Sequence, residues 1–304
     1  MRWLDHRELV PAPLRDSIIA LGNFDGFHRG HQAVALETIE WARAEGRPAI
    51  IATFDPHPVR YFKPEVPPFR LTTLEQRQEL YLAAGATAML VFHFDAQLAG
   101  TSAEAYIEDI LKQRLGAHGV VTGEDFRFGK GATGTIDTLR ASSLAVRTVA
   151  PVMDGNRPIS SSRVREALKE GDPQEAARLL TRPFAIRGVV EHGDKRGRTI
   201  GYPTANLSVE SYLRPAYGIY AVTGRVLSTD AVLEGAANIG VRPQFEPLKE
   251  LLEPYFFDFS GDLYGQEIEV AFQHFLRGEA KFDSLEALTA QMEKDCETAR
   301  ELLA

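Results

Sequence analysis

The sequence predicts an α/β protein in two parts: a parallel β-sheet covered by helices on both faces, then an antiparallel β-barrel that ends in a helix. Three observations carry this expectation. From residue 17 to about residue 150, apolar strand-like runs alternate with helical patterns, which implies strands joined by helical crossovers and hence a parallel sheet. From Phe184 onward, apolar and polar residues alternate between frequent glycine turns, the period-two signature of short antiparallel strands. The last 20 residues read as one amphipathic helix. The pattern changes at 181–184, giving domains 1–182 and 183–304, each of ordinary domain size.

Composition sets the outer limits. The 304 residues are 44% apolar and 25% charged, as in ordinary globular proteins. No apolar run approaches the ~20 residues of a membrane helix. The opening MRWLDHRELVPAP has acidic residues and prolines and no apolar signal core, so neither a membrane partner nor export is expected. A net charge of −8 argues against a nucleic-acid partner, because affinity for a phosphate backbone needs a basic surface. The small basic clusters Arg157/Arg163/Arg165 and Lys195/Arg196/Arg198 suit a small phosphorylated ligand better than a polymer. Cys296 is the single cysteine, which excludes an internal disulfide and a cysteine-cluster metal site and points to a cytoplasmic setting. Self-association is left open.

The first element, SIIALGNFDGFHRGH at 17–31, organises the N-terminal half. Ile18, Ile19, Ala20 and Leu21 make a buried strand, followed by a glycine-punctuated turn and the start of a helix. Gly22, Gly26 and Gly30 leave the backbone bare where a ligand must come close. A strand–turn–helix of this kind presents backbone N–H groups and a helix N-terminus to an anion; a nucleotide phosphate site is the first expectation. The helix HQAVALETIEWARAEG then offers Ala33, Leu36 and Ile39 as an apolar face and closes on Gly46. PAIIATFDPHP is an apolar run ending in a turn of Pro, Asp and His. Residues 73–84 are helical, 86–94 a buried strand, 102–115 a helix, GVVTG a strand, and LAVRTVAPV at 144–152 closes the series. In such sheets ligands sit at the carboxyl ends of the strands, and the loops after residues 21, 53 and 121 leave from that edge.

Residues 159–180 read as two short helices, with Ser160, Ser161 and Ser162 as N-cap hydroxyls and Asp172-Pro173 as a cap and first helical residue. Arg163 and Arg165 fall in a first turn, where the helix dipole disfavours cations. A bound anion would offset that, and arginines reaching solvent are an equally good reading. In the second half FAIRGVVEHG, GIYAVTGRVL and EIEVAFQHF are period-two strands. The terminal helix takes Asp283 and Glu286 as its capping box and Leu285, Leu288, Met292, Ala299 and Leu302 or Leu303 as its apolar face, with Cys296 on that face.

Two familiar phosphate loops fail. GNFDGFHRGH is not GxGxxG, and GEDFRFGKGAT has five residues between its glycines and Gly131 where Ser or Thr should bind magnesium. His28 and His31, three apart, share one helix face. They could be metal ligands, phosphate binders or plain helix polar residues, the last being commonest for such a pair. Metal is disfavoured because no third ligand is suitably spaced. Two imidazole donors at a helix N-terminus suit the charge that builds when a nucleotide's α-phosphate is attacked and pyrophosphate leaves. That reaction needs alignment and charge stabilisation rather than a covalent enzyme intermediate.

GNFDGFHRGH, TFDPHP, GEDFRFGKG and ISSSRVR resemble, in order and spacing, the FMN adenylyltransferase module of bacterial bifunctional riboflavin kinase/FAD synthetases. GDKRGRTIGYPTANL, GIYAV, NIGVRP and DFSGDLYGQEIEV resemble their riboflavin kinase module. The resemblance implies a Rossmann-like nucleotidyltransferase domain that transfers AMP from ATP to FMN. In it His28 and His31 bind the ATP phosphates and stabilise the transition state. Gly22, Asn23, Phe24, Asp25 and Gly26 line the nucleotide site, and Ser160, Ser161, Ser162 and Arg165 close on the phosphates. Phe54, Pro56, Pro58, Phe62, Tyr106 and Asp125 form the FMN site, flat aromatic and proline surfaces being suited to stacking on a flavin. Taken singly, those apolar residues read more readily as core.

The second module, by the same resemblance, is a six-stranded riboflavin kinase barrel acting on the riboflavin 5′-hydroxyl. Thr204 and Asn206 hold Mg2+ and ATP through hard oxygen donors. Gly193, Gly197, Arg198, Gly201, Tyr202 and Pro203 shape a flap over the phosphates. Glu253 falls where the family has its base, although locally it reads as a surface Glu beside a strand. The expected substrates and products are ATP, riboflavin, FMN and FAD. Three departures stand out: RPQFEPLKELLEP in place of a short glycine-rich turn, Pro254 directly after Glu253 inside a strand, and Thr135 where an Asp usually follows the FGKG block. Two rival readings follow. One makes 183–304 a non-catalytic flavin-binding module, on the strength of the altered 244–254 stretch. The other is a metal-dependent hydrolase built on His28 and His31.

Overall fold

Strands β1 (Leu4–Asp5), β2 (Ser17–Ala20), β3 (Ala49–Asp55), β4 (Ala88–His93), β5 (Ala117–Gly123) and β6 (Ala145–Val149) form one sheet in the order β1-β4-β3-β2-β5-β6. Every pairing is parallel, as the alternation with helices requires. The computed structural model describes residues 3–192, 202–209, 211–242 and 249–304. It divides the chain into two units, Met1–Pro67 with Thr73–Ser160, and Pro68–Thr72 with Ser161–Ala304.

Helices α1 (Arg29–Ala44), α2 (Pro58–Phe62), α3 (Leu74–Ala83) and α4 (Ala103–Ala105, continued by a π-helical stretch Tyr106–Arg114) belong to the first unit. Successive strand residues point to opposite faces, so β2 is buried on both. Ile19 and Leu21 pack with Phe92, Val120, Tyr106 and Leu111 on the α4 side. Ile18 and Ala20 pack with Val121, Ile39, Trp41 and Tyr81 on the α1 and α3 side. Each such side chain contributes roughly 1.5–3 kcal/mol of burial. The buried stripe of α1 is Val34, Ala35, Thr38, Ile39, Trp41 and Ala42. Leu36 was expected on that stripe but is 54% exposed, because the true face is rotated by about a third of a turn. Sheet order reverses between β2 and β5, the switch point at which α/β sheets hold ligands. The Leu21 N–H still bonds the Val121 carbonyl at 2.9 Å, so pairing runs up to the first residue of the loop.

The second unit opens with α5 (Ser161–Lys169) and α6 (Pro173–Leu180). Asp172 caps α6 by accepting from Glu175 N at 2.9 Å, as expected. Strands β7 (Phe184–Val189), β8 (Leu207–Ser208), β9 (Gly218–Val226), β10 (Ala231–Arg242), β11 (Lys249–Phe256) and β12 (Glu267–Gly278) follow in the order β8-β11-β10-β9-β12-β7. All pairs are antiparallel. A bridge between Glu191 and Asn206 links the two edges, so the sheet nearly closes into a barrel around Ile186, Leu207, Tyr220, Ile239, Leu252 and Phe272. Arg70, in the short segment contributed from earlier in the chain, bridges to Tyr212.

Helix α7 (Leu285–Leu303) covers the outer face through Cys296, Ala299 and Leu303, which meet Tyr255, Phe257 and Leu276. Two expectations need correction. The N-cap is Ser284, whose Oγ accepts from Ala287 N at 3.1 Å, rather than Asp283. Leu285 and Leu302 are 56% and 44% exposed, because a helix lying on a barrel buries only the narrow stripe that touches it.

Candidate active sites

After β2 the chain makes a tight turn in which Phe24, Gly26 and Phe27 have φ of 47°, 83° and 47°. The turn is closed by a Phe27 N–H to Phe24 O bond of 3.1 Å. His28 then caps α1. Its Nδ1 accepts from Gly30 N at 3.1 Å and from His31 N at 3.4 Å. Nδ1 is therefore the unprotonated ring nitrogen, and Nε2 carries the hydrogen. His31 stacks on His28 with centroids 3.6 Å apart, and Phe24 meets the His31 ring edge-on at 5.1 Å. Gly30 leaves little room for a side chain: a Cβ would come 3.1 Å from both His28 Cε1 and the Ile159 carbonyl, and its neighbours would have to shift. The structure thus brings His28, His31, Gly22, Asn23, Phe24, Asp25 and Gly26 together at the switch point.

Below this loop lies a group that the motifs announce only in part: Asp25 and Thr53 belong to GNFDGFHRGH and TFDPHP, whereas Arg77 stands outside them. Arg77 of α3 donates from Nη2 to Asp25 at 2.8 Å and from Nη1 to Thr53 Oγ1 at 2.9 Å. Thr53 in turn donates to the Asn23 carbonyl at 2.6 Å, and Tyr81 OH donates to the Phe24 carbonyl at 3.3 Å. Asp25 is 1% exposed, so its carboxylate serves the loop from within.

On the other face of the same sheet edge, Phe54 and Tyr106 both flank Phe92, at 5.1 and 5.7 Å between centroids. Tyr106 also packs on Phe128 at 5.3 Å, and Phe128 on Phe126 at 5.8 Å. Among the described residues the Tyr106 hydroxyl is buried with no hydrogen-bond partner, and burial pushes its ionisation upward. Phe62 is 63% exposed and meets Phe94 at 5.7 Å. Pro58 starts α2, Pro56 is exposed in the turn before it, and Asp125 is exposed beside Gly123. Phe92, Phe94, Phe126 and Phe128 were missed by motif reading; the aromatic spacing of GEDFRFGKG was the available signal for the last two. Thr135 caps the helix Ile136–Arg140, accepting from Thr138 N at 3.3 Å. Thr and Asp are both good N-caps, so that departure is conservative.

Ser160 ends the first unit, whereas Ser161, Ser162 and Arg165 lie on α5 in the second. Arg165 Nε donates to the Phe69 carbonyl at 2.8 Å, and the guanidinium sits 5.2 Å from the Phe69 ring centroid. Arg163 pairs with Glu175 at 3.1 Å.

In the barrel, Leu207 faces Leu252 and Asn238 faces Glu253 across neighbouring ladders. Continuing the first register by one residue puts Asn206 opposite Glu253, so Asn206, Glu253 and Asn238 form a row on the outer face. Asn206 and Glu253 are 7% and 8% exposed, which removes the surface reading of Glu253. Pro254 stands in its strand opposite Ala237, and its carbonyl accepts from Ala205 N at 2.9 Å. Thr204 is half-buried, Pro203 exposed, and Tyr202 meets Tyr255 at 5.1 Å. Gly193, Gly197, Arg198 and Gly201, and residues 243–248 of the altered stretch, lie outside the described residues. Among the described residues, no group of three or more His, Cys, Asp or Glu is placed to hold a metal ion. None of the described helices is long and apolar enough to cross a membrane.

The FAD synthetase family model matches residues 10–163 and the riboflavin kinase family model residues 180–303. The bifunctional riboflavin kinase/FMN adenylyltransferase of Escherichia coli (strain K12) is 37% identical over 297 residues, covering 96% of this chain and 95% of that protein. The protein of the same description from Haemophilus influenzae is 38% identical, covering 94% of each chain. That of Bacillus subtilis (strain 168) is 36% identical, covering 96% of this chain and 94% of its own. A solved structure described as a macrolide-efflux protein from Streptococcus pneumoniae superposes with a TM-score of 0.87 at 31% identity, covering 97% of this chain and 96% of that one.

Proposed function

Because this chain belongs to the family of bifunctional riboflavin kinase/FMN adenylyltransferases, we propose that its barrel phosphorylates riboflavin to FMN and its HxGH loop converts FMN to FAD. The observation that carries the reading is the ring orientation of His28, whose Nδ1 caps α1 and so leaves the ring hydrogen on Nε2, with the His31 ring stacked against it at the same helix N-terminus.

In adenylyl transfer a phosphate oxygen of FMN attacks the α-phosphorus of ATP, and the bond to the pyrophosphate oxygen breaks. Negative charge grows on the phosphate oxygens as this happens. The His28 Nε2–H, the His31 ring stacked against it and the N-terminal dipole of α1 meet that charge in a fixed arrangement. Phe54, half-buried, offers a flat surface for the isoalloxazine ring, with the buried rings of Phe92, Tyr106 and Phe128 packed behind it.

In the kinase step Glu253 accepts the proton of the riboflavin 5′-hydroxyl as that oxygen attacks the γ-phosphorus and ADP leaves. Glu253 is buried, and strand register sets a carboxamide residue on either side of it, Asn206 and Asn238. Asn206 and Thr204 supply hard oxygen donors of the kind Mg2+ selects beside nucleotide phosphates. An Mg2+ ion held by these residues would supply charge neutralisation to the phosphates. A cytoplasmic setting with ready ATP is part of this reading.

The test is Glu253→Gln, which keeps shape and removes the proton acceptor. The variant is expected to lose riboflavin phosphorylation by about 100-fold or more and still convert supplied FMN to FAD at the wild-type rate. Unchanged riboflavin phosphorylation would contradict the role of Glu253 and favour a base elsewhere. A wild-type protein that binds riboflavin and makes no FMN would instead make the barrel a binding module.

A further inference from the structure

The phosphate loop is held in a conformation its own residues disfavour. Phe24 and Phe27 both sit at φ of 47°, a left-handed region that non-glycine residues avoid. Such a backbone persists only where its surroundings over-determine it. Here a buried cation is central to that restraint. Arg77 and Asp25 side chains are 3% and 2% exposed. The Arg77 fork spans two acceptors at once, Asp25 on the loop and Thr53 near the end of β3, and Thr53 passes the restraint to the Asn23 carbonyl. One helical turn later, Tyr81 fastens the Phe24 carbonyl. Both anchors therefore come from α3. They act on three consecutive residues, and the turn that follows delivers His28 directly. Gln32 of α1 closes the far side by donating to the Phe27 carbonyl at 2.9 Å.

We infer that Arg77 is a positioning residue of the adenylyl-transfer site: it sets the place of His28 Nε2 by bracing the loop between residues 23 and 28, without touching substrate itself. The inference rests on the assignment of that loop to adenylyl transfer. A planar guanidinium meets Asp25 and Thr53 from two nitrogens held in a fixed fork; a lysine has three donors, but all on one nitrogen at the end of a flexible stem, and so holds the two acceptors less rigidly. Displacing catalytic groups by about 1 Å can cost on the order of 100-fold in rate, so the brace belongs to the reaction as well as to the fold.

The experiment uses the full chain as wild type, Arg77→Met, Arg77→Lys and the double variant Asp25→Asn/Arg77→Met. FMN adenylylation, riboflavin phosphorylation and thermal unfolding are measured on each. Arg77→Met is expected to lower kcat for FAD formation about 100-fold with a smaller change in KM for FMN, while riboflavin phosphorylation stays at the wild-type rate. Arg77→Lys falls between. The double variant removes both buried charges, so unfolding temperature recovers toward wild type while kcat stays low; this separates bracing of the site from stability alone. Adenylylation at the wild-type kcat in Arg77→Met, or recovery of kcat together with stability in the double variant, overturns the inference. If Arg77→Met loses both activities by unfolding, the double variant decides in the same way. A wild-type chain that makes no FAD overturns the assignment of the loop, which is a separate failure.

Discussion

His28 does two jobs with its two ring nitrogens. Nδ1 caps α1 and Nε2 carries the ring hydrogen, so acceptor and donor lie on opposite sides of one ring, a division a carboxylate cap cannot provide. The two jobs come apart by substitution. His28→Asn keeps a cap and His28→Ala does not, so the second is expected to be less stable by about 1 kcal/mol, while both lose FAD formation by roughly 100–1000-fold. Urea unfolding beside the FAD assay checks this; an Asn variant with near-normal activity would show that capping is all His28 does. His6 supplies a pH dependence. It is 4% exposed, its Nδ1 accepts from His93 N at 3.1 Å, and burial lowers its pKa to about 4 despite the nearby Asp5. The unfolded imidazole titrates near ~6.5, so between those values the unfolded chain binds the extra proton. Stability from this residue is full above about pH 6.5 and falls by about 2 kcal/mol as the pH drops toward 4. Both tryptophans, Trp3 and Trp41, belong to the first unit. Tryptophan fluorescence of wild type and His6→Asn therefore reads it directly: a wild-type loss across that range no steeper than that of His6→Asn would refute the assignment.

At the scale of elements, β2 and the helix after it were legible because a run of four apolar residues followed by glycines has few alternatives. The phase of α1 was not. Leu36 fits an apolar face on paper, yet Thr38 lies inside it, its hydroxyl bonded to the Val34 carbonyl at 2.8 Å. A hydroxyl satisfied by its own helix costs little to bury, and hydropathy counts it on the wrong side. Leu36→Glu is accordingly expected to change stability by less than about 0.5 kcal/mol, whereas Ile39→Ala costs about 2–5 kcal/mol. Equal losses in thermal unfolding would put Leu36 back in the core. The brace under the phosphate loop was illegible for a different reason. Asp25 and Arg77 are 52 residues apart and carry no motif between them; only the folded sheet brings the end of β3, the loop and α3 to one point. Glu253 lies in between. Position suggested its role, and the three-strand register supplied its neighbours.

At the scale of the whole molecule, one chain carries two folds suited to successive steps on one substrate. A parallel sheet puts loops and helix N-termini at its carboxyl edge, where phosphates are held. A nearly closed antiparallel barrel instead presents a row of side chains on its outer face. The family models match these two parts separately, over 10–163 and 180–303. The net charge of −8 leaves attraction for a nucleotide to local groups, which we propose are the helix end at His28 and the PTAN segment. The most direct measurement follows flavins by chromatography after riboflavin, ATP and Mg2+ are mixed with wild type or His28→Ala. The account predicts that wild type passes riboflavin through FMN to FAD, while His28→Ala makes FMN at the wild-type rate and accumulates it. FAD formed by His28→Ala as fast as by wild type would contradict it.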